Sequence, residues 1–232
     1  MLSTKSLGLS GLKSVLNIQT PTEPTSASPI GGSTNPQLGN ILKAKEDSVR
    51  VSESAKDLGE TYKRLKASGN QEAVSGFTKV VQGFGSGISG EAISNVATAT
   101  SKMSDTDLQQ YGSVAKAVSS QGNSAVLAKF AGQAATAYNA DKELGRGYMN
   151  ATSSIMNAEY SGNRQEVASQ KLATQSNFMT KFGELGSPSK ASKEDVASFT
   201  SLANSIGGMG KGTEINTAIR DYTMPSKVAA IA

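Results

Sequence analysis

The sequence predicts an all-α fold, an elongated multi-helix bundle with coiled-coil-like seams and a disordered N-terminal arm. Three observations lead there. Apolar residues recur at alternating steps of three and four from Asn40 onward. No comparable period-two strand pattern appears. Gly-Asn pairs at 39–40, 69–70, 122–123 and 162–163 each precede a periodic run, with glycine suited to a left-handed helix end and asparagine to capping the next helix.

Residues 1–39 read as the arm. Of the first 40 residues, 24 are Ser, Thr, Pro, Gly or Asn, and four of the six prolines (Pro21, Pro24, Pro29 and Pro36) lie there. Such a segment buries too little apolar area to offset its ordering entropy. Leu7, Leu9, Leu12, Val15 and Leu16 leave room for one helical turn under a partner.

Residues 40–206 read as the helical bundle. Its first seam runs Ile41, Ala44, Ser48, Val51, Ala55, Leu58, Tyr62 and Leu65 in unbroken heptad spacing. The second is longer: Leu127, Phe130, Ala134, Ala137, Asp141, Leu144, Tyr148, Ala151, Ile155 and Ala158. Together they predict a spine over 41–67 and 123–160, joined by shorter amphipathic segments, with about seven helices in all. Val74, Phe77, Val81 and Phe84 mark one such segment; Leu108, Tyr111, Ala115 and Val118 another; Val196, Phe199, Ala203 and Ile206 a third. Ser104 and Ser192, each with an aspartate three residues on, read as N-caps. The three later Gly-Asn boundaries share a cadence, but their spacing is unequal and establishes no repeat array. Residues 207–232 read as a flexible segment with a short helix.

The core has to be built from small residues. Trp and Cys are absent, and six Phe and six Tyr are the large side chains available to fill gaps. Zero Cys removes disulfides, thiolate chemistry and Cys-ligated zinc. Zero His removes the commonest general base and transition-metal ligand, and with them Ser-His-Asp and His-carboxylate sites. A net charge of +4, with acids and bases interleaved, provides no patch for nucleic acid. No run of apolar residues reaches membrane-spanning length, so no membrane insertion is expected. The first ten residues lack the continuous apolar block of a cleaved signal peptide.

Candidate chemistry is sparse. The glycine-rich stretch 83–90 follows a helix and precedes Glu91, so it lacks the strand and the Lys-Ser/Thr of a phosphate loop and reads as a turn. Gly207-Gly208-Met209-Gly210 reads as a flexible joint. The acids Glu46, Asp47, Glu53, Asp57 and Glu60 sit among seven basic residues and read as a solvated helix face. Asp141 falls on the apolar seam, where a carboxylate needs a partner or the seam must open. Arg146, one of five arginines, lies between Gly145 and Gly147, where a guanidinium could project as an arginine finger, against the simpler reading of a glycine kink.

The composition is similar in texture to proteins exported through bacterial type III or flagellar secretion, which combine an uncleaved Ser/Thr-rich start, little Cys and Ala/Ser/Gln/Asn-rich helices. That likeness implies a secreted or cell-surface location, the alternative being the cytoplasm. No family residues carry over, because the paired terminal helices of a flagellin are missing.

The sequence therefore points to a non-enzymatic structural or assembly protein without cofactor or metal, meeting protein partners or its own copies through helical seams. The interaction seam comprises Ile41, Val51, Ala55, Leu58, Tyr62 and Leu65 on the first helix, and Leu127, Phe130, Ala134, Asp141, Leu144, Tyr148 and Ile155 on the second. An intracellular helical adaptor or scaffold is the alternative. A secreted effector acting on a host regulatory protein is the third.

Overall fold

The structure is a computed structural model that describes residues 36–83 and 90–229, with side chains described from Ser52 onward. Among these residues, nine helices and a five-residue C-terminal turn pack against one another, and no strand occurs. The predicted arm lies outside the described residues up to position 35. In chain order the helices are α1 (Pro36–Ala67), α2 (Gln71–Gly83), α3 (Gly90–Lys102), α4 (Asp105–Ser119), α5 (Ser124–Ala140), α6 (Lys142–Asn157), α7 (Arg164–Gly183), α8 (Lys193–Gly207), α9 (Gly212–Asp221) and the terminal turn α10 (Pro225–Ala229).

Boundary chemistry explains most of these limits. Gly69, Gly122 and Gly162 adopt φ of +73°, +78° and +126°, conformations that side chains resist, and each hands the chain to an asparagine cap. Asn70 Oδ1 accepts from the Ala73 amide at 3.0 Å, and Asn123 Oδ1 from that of Val126 at 3.1 Å. Asn163 makes a reciprocal capping box with Glu166. Ser104 and Ser192 cap α4 and α8 as the sequence predicts. The Gly39-Asn40 pair is the exception: it lies inside α1, which begins at Pro36, a residue whose missing N–H and fixed φ suit a first helical turn.

The predicted spine helix over 123–160 is two helices. The chain breaks at Asp141, with φ −156° and ψ 132°, so this residue ends α5 and caps α6 through its side chain, which accepts from the Leu144 amide at 2.9 Å. Extended backbone there turns α6 back along α5. The apolar spacing hides the break because both segments keep their phase across it.

A packing order then repeats in part along the chain. In the first half α1 packs along α3 and α2 along α4; in the second, α6 packs along α8, whereas α5 only touches α7 and lies mainly against α6 and α3. As α5 closes over α3 and α4, so α9 closes over α7 and α8. Residues follow the same order. Ser104, Asp107, Tyr111, Ala115, Val118 and Leu127 have the spacing of Ser192, Asp195, Phe199, Ala203, Ile206 and Ile215. Gly76, Phe77 and Val80 have the spacing of Gly147, Tyr148 and Ala151. The shared Gly-Asn cadence is thus a weaker marker of repetition than the Ser-x-x-Asp caps.

Small residues hold the helices close, and the large ones are concentrated in one column. Ala131, Ala134, Ala135 and Ala137 of α5 are fully buried. Tyr111, Phe130, Tyr148, Phe178, Phe199 and Tyr222 form a continuous chain of ring contacts, with Phe182 against Tyr148 and Phe199, at centroid separations of 5.0–6.2 Å. This column crosses from the first half of the molecule to the second and ties them into one core.

The segment read as flexible after Gly207 is held in place. Glu159 and Lys211 form a parallel bridge, with Glu159 N–H donating to Gly210 O and Gly212 N–H to Glu159 O, both at 2.9 Å. Gly212 sits flat against the Tyr160 ring, where a Cβ would collide. Ile215, Ile219 and Met224 are buried in the common core. Among the described residues, no helix is long and apolar enough to cross a membrane.

Candidate functional site

The structure separates the predicted seam into a buried part and a part with no described cover. Leu58 and Leu65 are buried, and Ala55 and Tyr62 half-buried. On the second run Leu127, Phe130, Ala134, Leu144, Tyr148 and Ile155 are all buried against the chain's own helices. They form the core and face no external partner. Asp141 is exposed and caps α6, which removes it from the seam: the carboxylate solves its desolvation problem by ending one helix and starting another. The side chains of Ile41 and Val51 lie outside the described residues.

The described surface is otherwise polar. Val228 is the one large apolar side chain on it that is exposed. The described outward faces of α1 and α9 are polar as well. Residues Ser52, Glu53, Lys56, Glu60 and Lys63 are exposed on α1, and Thr213, Glu214, Asn216, Thr217 and Arg220 on α9.

Length distinguishes α1. It has 32 residues, whereas α3, along which it packs, has 13. Their register is fixed by side chains near the C-terminal ends of both. Thr61 Oγ1 donates to Thr100 Oγ1 at 3.4 Å, and Arg64 donates to the Ser101 and Met103 carbonyls and to Asp105. The two helices therefore run parallel, and α3 begins about ten residues before Thr100. At 1.5 Å per residue, about 20 Å of α1 extends beyond the start of α3. That stretch carries the first half of the predicted heptad seam.

The second notable constellation is ionic. Asp107 is buried at the N-terminus of α4 and receives two bonds from Arg146, Nε to Oδ1 at 2.9 Å and Nη2 to Oδ2 at 3.1 Å. The Tyr138 hydroxyl donates to Oδ2 at 2.9 Å. Arg146 Nη1 also reaches Glu143 at 2.8 Å. Burial alone would raise the Asp107 pKa, but the bonds from Arg146, Ser104 and Tyr138 outweigh it and hold the carboxyl below its ordinary value. Tyr138 is pushed up by burial and by its carboxylate partner.

This arrangement answers the arginine-finger reading of Arg146. Its guanidinium is committed to Asp107 and Glu143, and the flanking glycines serve packing: a Cβ added at Gly145 would lie 2.6 Å from the Tyr138 backbone. The cluster thus staples α4, α5 and α6 together. The sequence signals Asp107 only as a cap residue; its partner arrives from another helix, where periodicity carries no information.

Comparison with protein-family models, curated proteins and solved structures finds no match. Fold and site together define an all-helical chain with a polar described surface, an ion cluster around one buried aspartate, and a first helix that outruns α3.

Proposed function

We propose that the protein is a non-enzymatic helical assembly or docking protein, acting through helix-helix contact at the N-terminal half of α1. The overhang of α1 carries the reading. Most of the predicted seam is consumed internally, whereas Ile41, Ala44, Ser48 and Val51 continue the register of Leu58 and Leu65 beyond the start of α3. A heptad stripe about two repeats longer than its internal partner is suited to a helix from another chain. The texture of residues 1–39 adds export without a cleaved signal, through a type III or flagellar-like route.

The test uses the full chain. Sedimentation across a concentration series, alone and with candidate partners from the same cell, should give assemblies heavier than the 23.9 kDa protomer. Ile41→Asp with Val51→Asp should abolish them while leaving the melting temperature unchanged. A chain that stays monomeric and partner-free, or assemblies indifferent to both substitutions, would remove the α1 reading. Fusing residues 1–39 to a reporter tests export separately: retention in the cytoplasm of a secretion-competent host would exclude the route.

A further inference from the structure

About 20 Å of α1 extends beyond the start of α3. The neighbour α2 does not accompany that stretch either: after the turn at Gly69 it has 13 residues, which carry it back along α1 no further than about residue 54. The heptad positions Ile41, Ala44, Ser48 and Val51 therefore lie on a helix that has outrun both. A helical stretch of this length is marginal in water without tertiary cover, about 12–15 residues being the lower limit even for alanine-rich sequences.

The chain itself supplies a fitting cover. Residues 1–35 lie outside the described residues and lead into Pro36, the tip of the overhang. Their sequence divides in two. Leu7, Leu9, Leu12, Val15, Leu16 and Ile18 fall close together, and Leu9, Leu12 and Leu16 repeat the three-four spacing of the α1 stripe. Residues 19–35 hold only Ala27 and Ile30 as apolar residues, and 12 of these 17 are Pro, Ser, Thr or Gly, the composition of a linker.

Size, shape and reach agree. As a helix, residues 7–18 would span about 18 Å, close to the length of the overhang. Leucines at 9, 12 and 16 supply large knobs, while Ala44 and Ser48 at the centre of the α1 stripe are small. Gly8 and Gly11 lower the helix propensity of the segment, so it orders only when seated. A linker of this length has a root-mean-square span of about 23 Å as a coil, which lets the segment lie along the overhang in either direction. A tether matched to its gap gives an effective concentration on the order of 1 mM, enough to populate a contact too weak to form between separate molecules.

We propose that residues 7–18 seat on the overhanging stripe of α1 in the same chain and cover it until a partner helix displaces them. The inference rests on the docking reading of α1 and adds its regulation: the arm competes with the partner for Ile41, Ala44, Ser48 and Val51.

The experiment is backbone amide hydrogen exchange of the full chain, read at residues 40–52 over a wide range of protein concentration. A seated segment should slow exchange there about 10-fold relative to an uncovered helix, as expected of a cover in place about nine-tenths of the time, and equally at every concentration. Leu9→Asp with Leu12→Asp should remove that protection. Ser10→Asp with Ser14→Asp adds the same charge off the leucine stripe and should keep it. Neither pair touches the helical domain, so unchanged exchange in α4 and α8 is the folding control. Equal exchange in the natural chain and the leucine variant, equal loss in the serine variant, or protection that grows with concentration, the mark of a second copy on α1, would overturn the proposal. Each of these outcomes leaves the docking reading of α1 in place, because that reading falls by the sedimentation of the Ile41→Asp, Val51→Asp chain.

Discussion

The two most extensive helix contacts among the described residues, α2 with α4 and α6 with α8, are built differently. Where α2 meets α4, backbone lies on backbone. A Cβ at Gly76 would overlap the Gly112 carbonyl, and one at Gly112 would overlap Ala73, so each glycine exists for the other helix. Where α6 meets α8, small side chains intervene: a Cβ at Gly147 would lie 3.0 Å from Asn204 Oδ1 and 3.5 Å from Ala203 Cβ, and one at Gly207 would lie 3.3 Å from Asn150 Cβ. The same order of helices is thus compatible with a glycine seam or an alanine-asparagine seam. Only the glycine seam fixes the separation rigidly.

The largest expected effect tests that difference. Gly76→Ala or Gly112→Ala forces two helices apart against a packed core, and each should cost about 3 kcal/mol in chemical denaturation, at the upper end of overpacking penalties. Gly147→Ala faces the mobile end of Asn204, and alanine's higher helix propensity offsets the crowding, so its change should stay within about 1 kcal/mol. Equal losses at the two crossings would mean that the second is as rigid as the first.

The next comparison concerns two aspartates at matching cap positions. Asp107 is answered by Arg146 and Tyr138. Asp195, also buried, accepts from the backbone N–H of Ser226 at 3.0 Å, pinning the C-terminal turn to α8. Asp107→Ala should destabilise by about 1–2 kcal/mol, chiefly because it leaves the buried Tyr138 hydroxyl without its acceptor, while the exposed Arg146 keeps Glu143. Asp195→Ala should cost less and act locally, raising hydrogen exchange in residues 224–229. Both carboxyls lie below the ordinary aspartate value, Asp195 chiefly through the Ser226 amide. Their stabilisation is therefore complete above about pH 4, the unfolded value, and is lost as pH falls through the lowered folded values. Asp107→Ala should flatten the acid limb of a stability-pH curve more than Asp195→Ala; the reverse order would place the acid-sensitive staple at the C-terminus.

Helicity, most core positions and five of the helix caps are legible in the sequence, because each depends on residues within one or two turns. Leu58, Leu65, Phe77, Tyr111 and Phe199 are buried where the three-four spacing places them. The features that escape are set by distant partners or by competing local signals. Asp141 with Lys142-Glu143-Leu144 after it is itself a capping pattern, but its apolar phase matches an uninterrupted helix and masks it. Arg146 stands out for its glycine neighbours, whereas its partners Asp107 and Tyr138 come from other helices. The C-terminal segment looks flexible because four glycines cluster at 207–212, yet Gly212 is required by its contact with Tyr160, and Ile215 and Ile219 anchor α9 in the core.

The smallest expected effects concern the asparagine caps, and they bear on whether the two halves close with equal firmness. Asn70 and Asn123 each satisfy one orphan amide, at 3.0 and 3.1 Å, while Asn163 satisfies two, at 3.0 and 3.1 Å, and its own N–H donates to the Glu166 side chain at 2.8 Å. Alanine at Asn70 or Asn123 should cost about 0.5–1 kcal/mol, and at Asn163 about 1–1.5 kcal/mol, within the measured range for caps. In a double variant with Glu166→Ala, the Asn163 loss should shrink, because the reciprocal bond has already gone. Strict additivity of the two would show that the capping box contributes no coupling, leaving α7 entered by a single cap like α2 and α5.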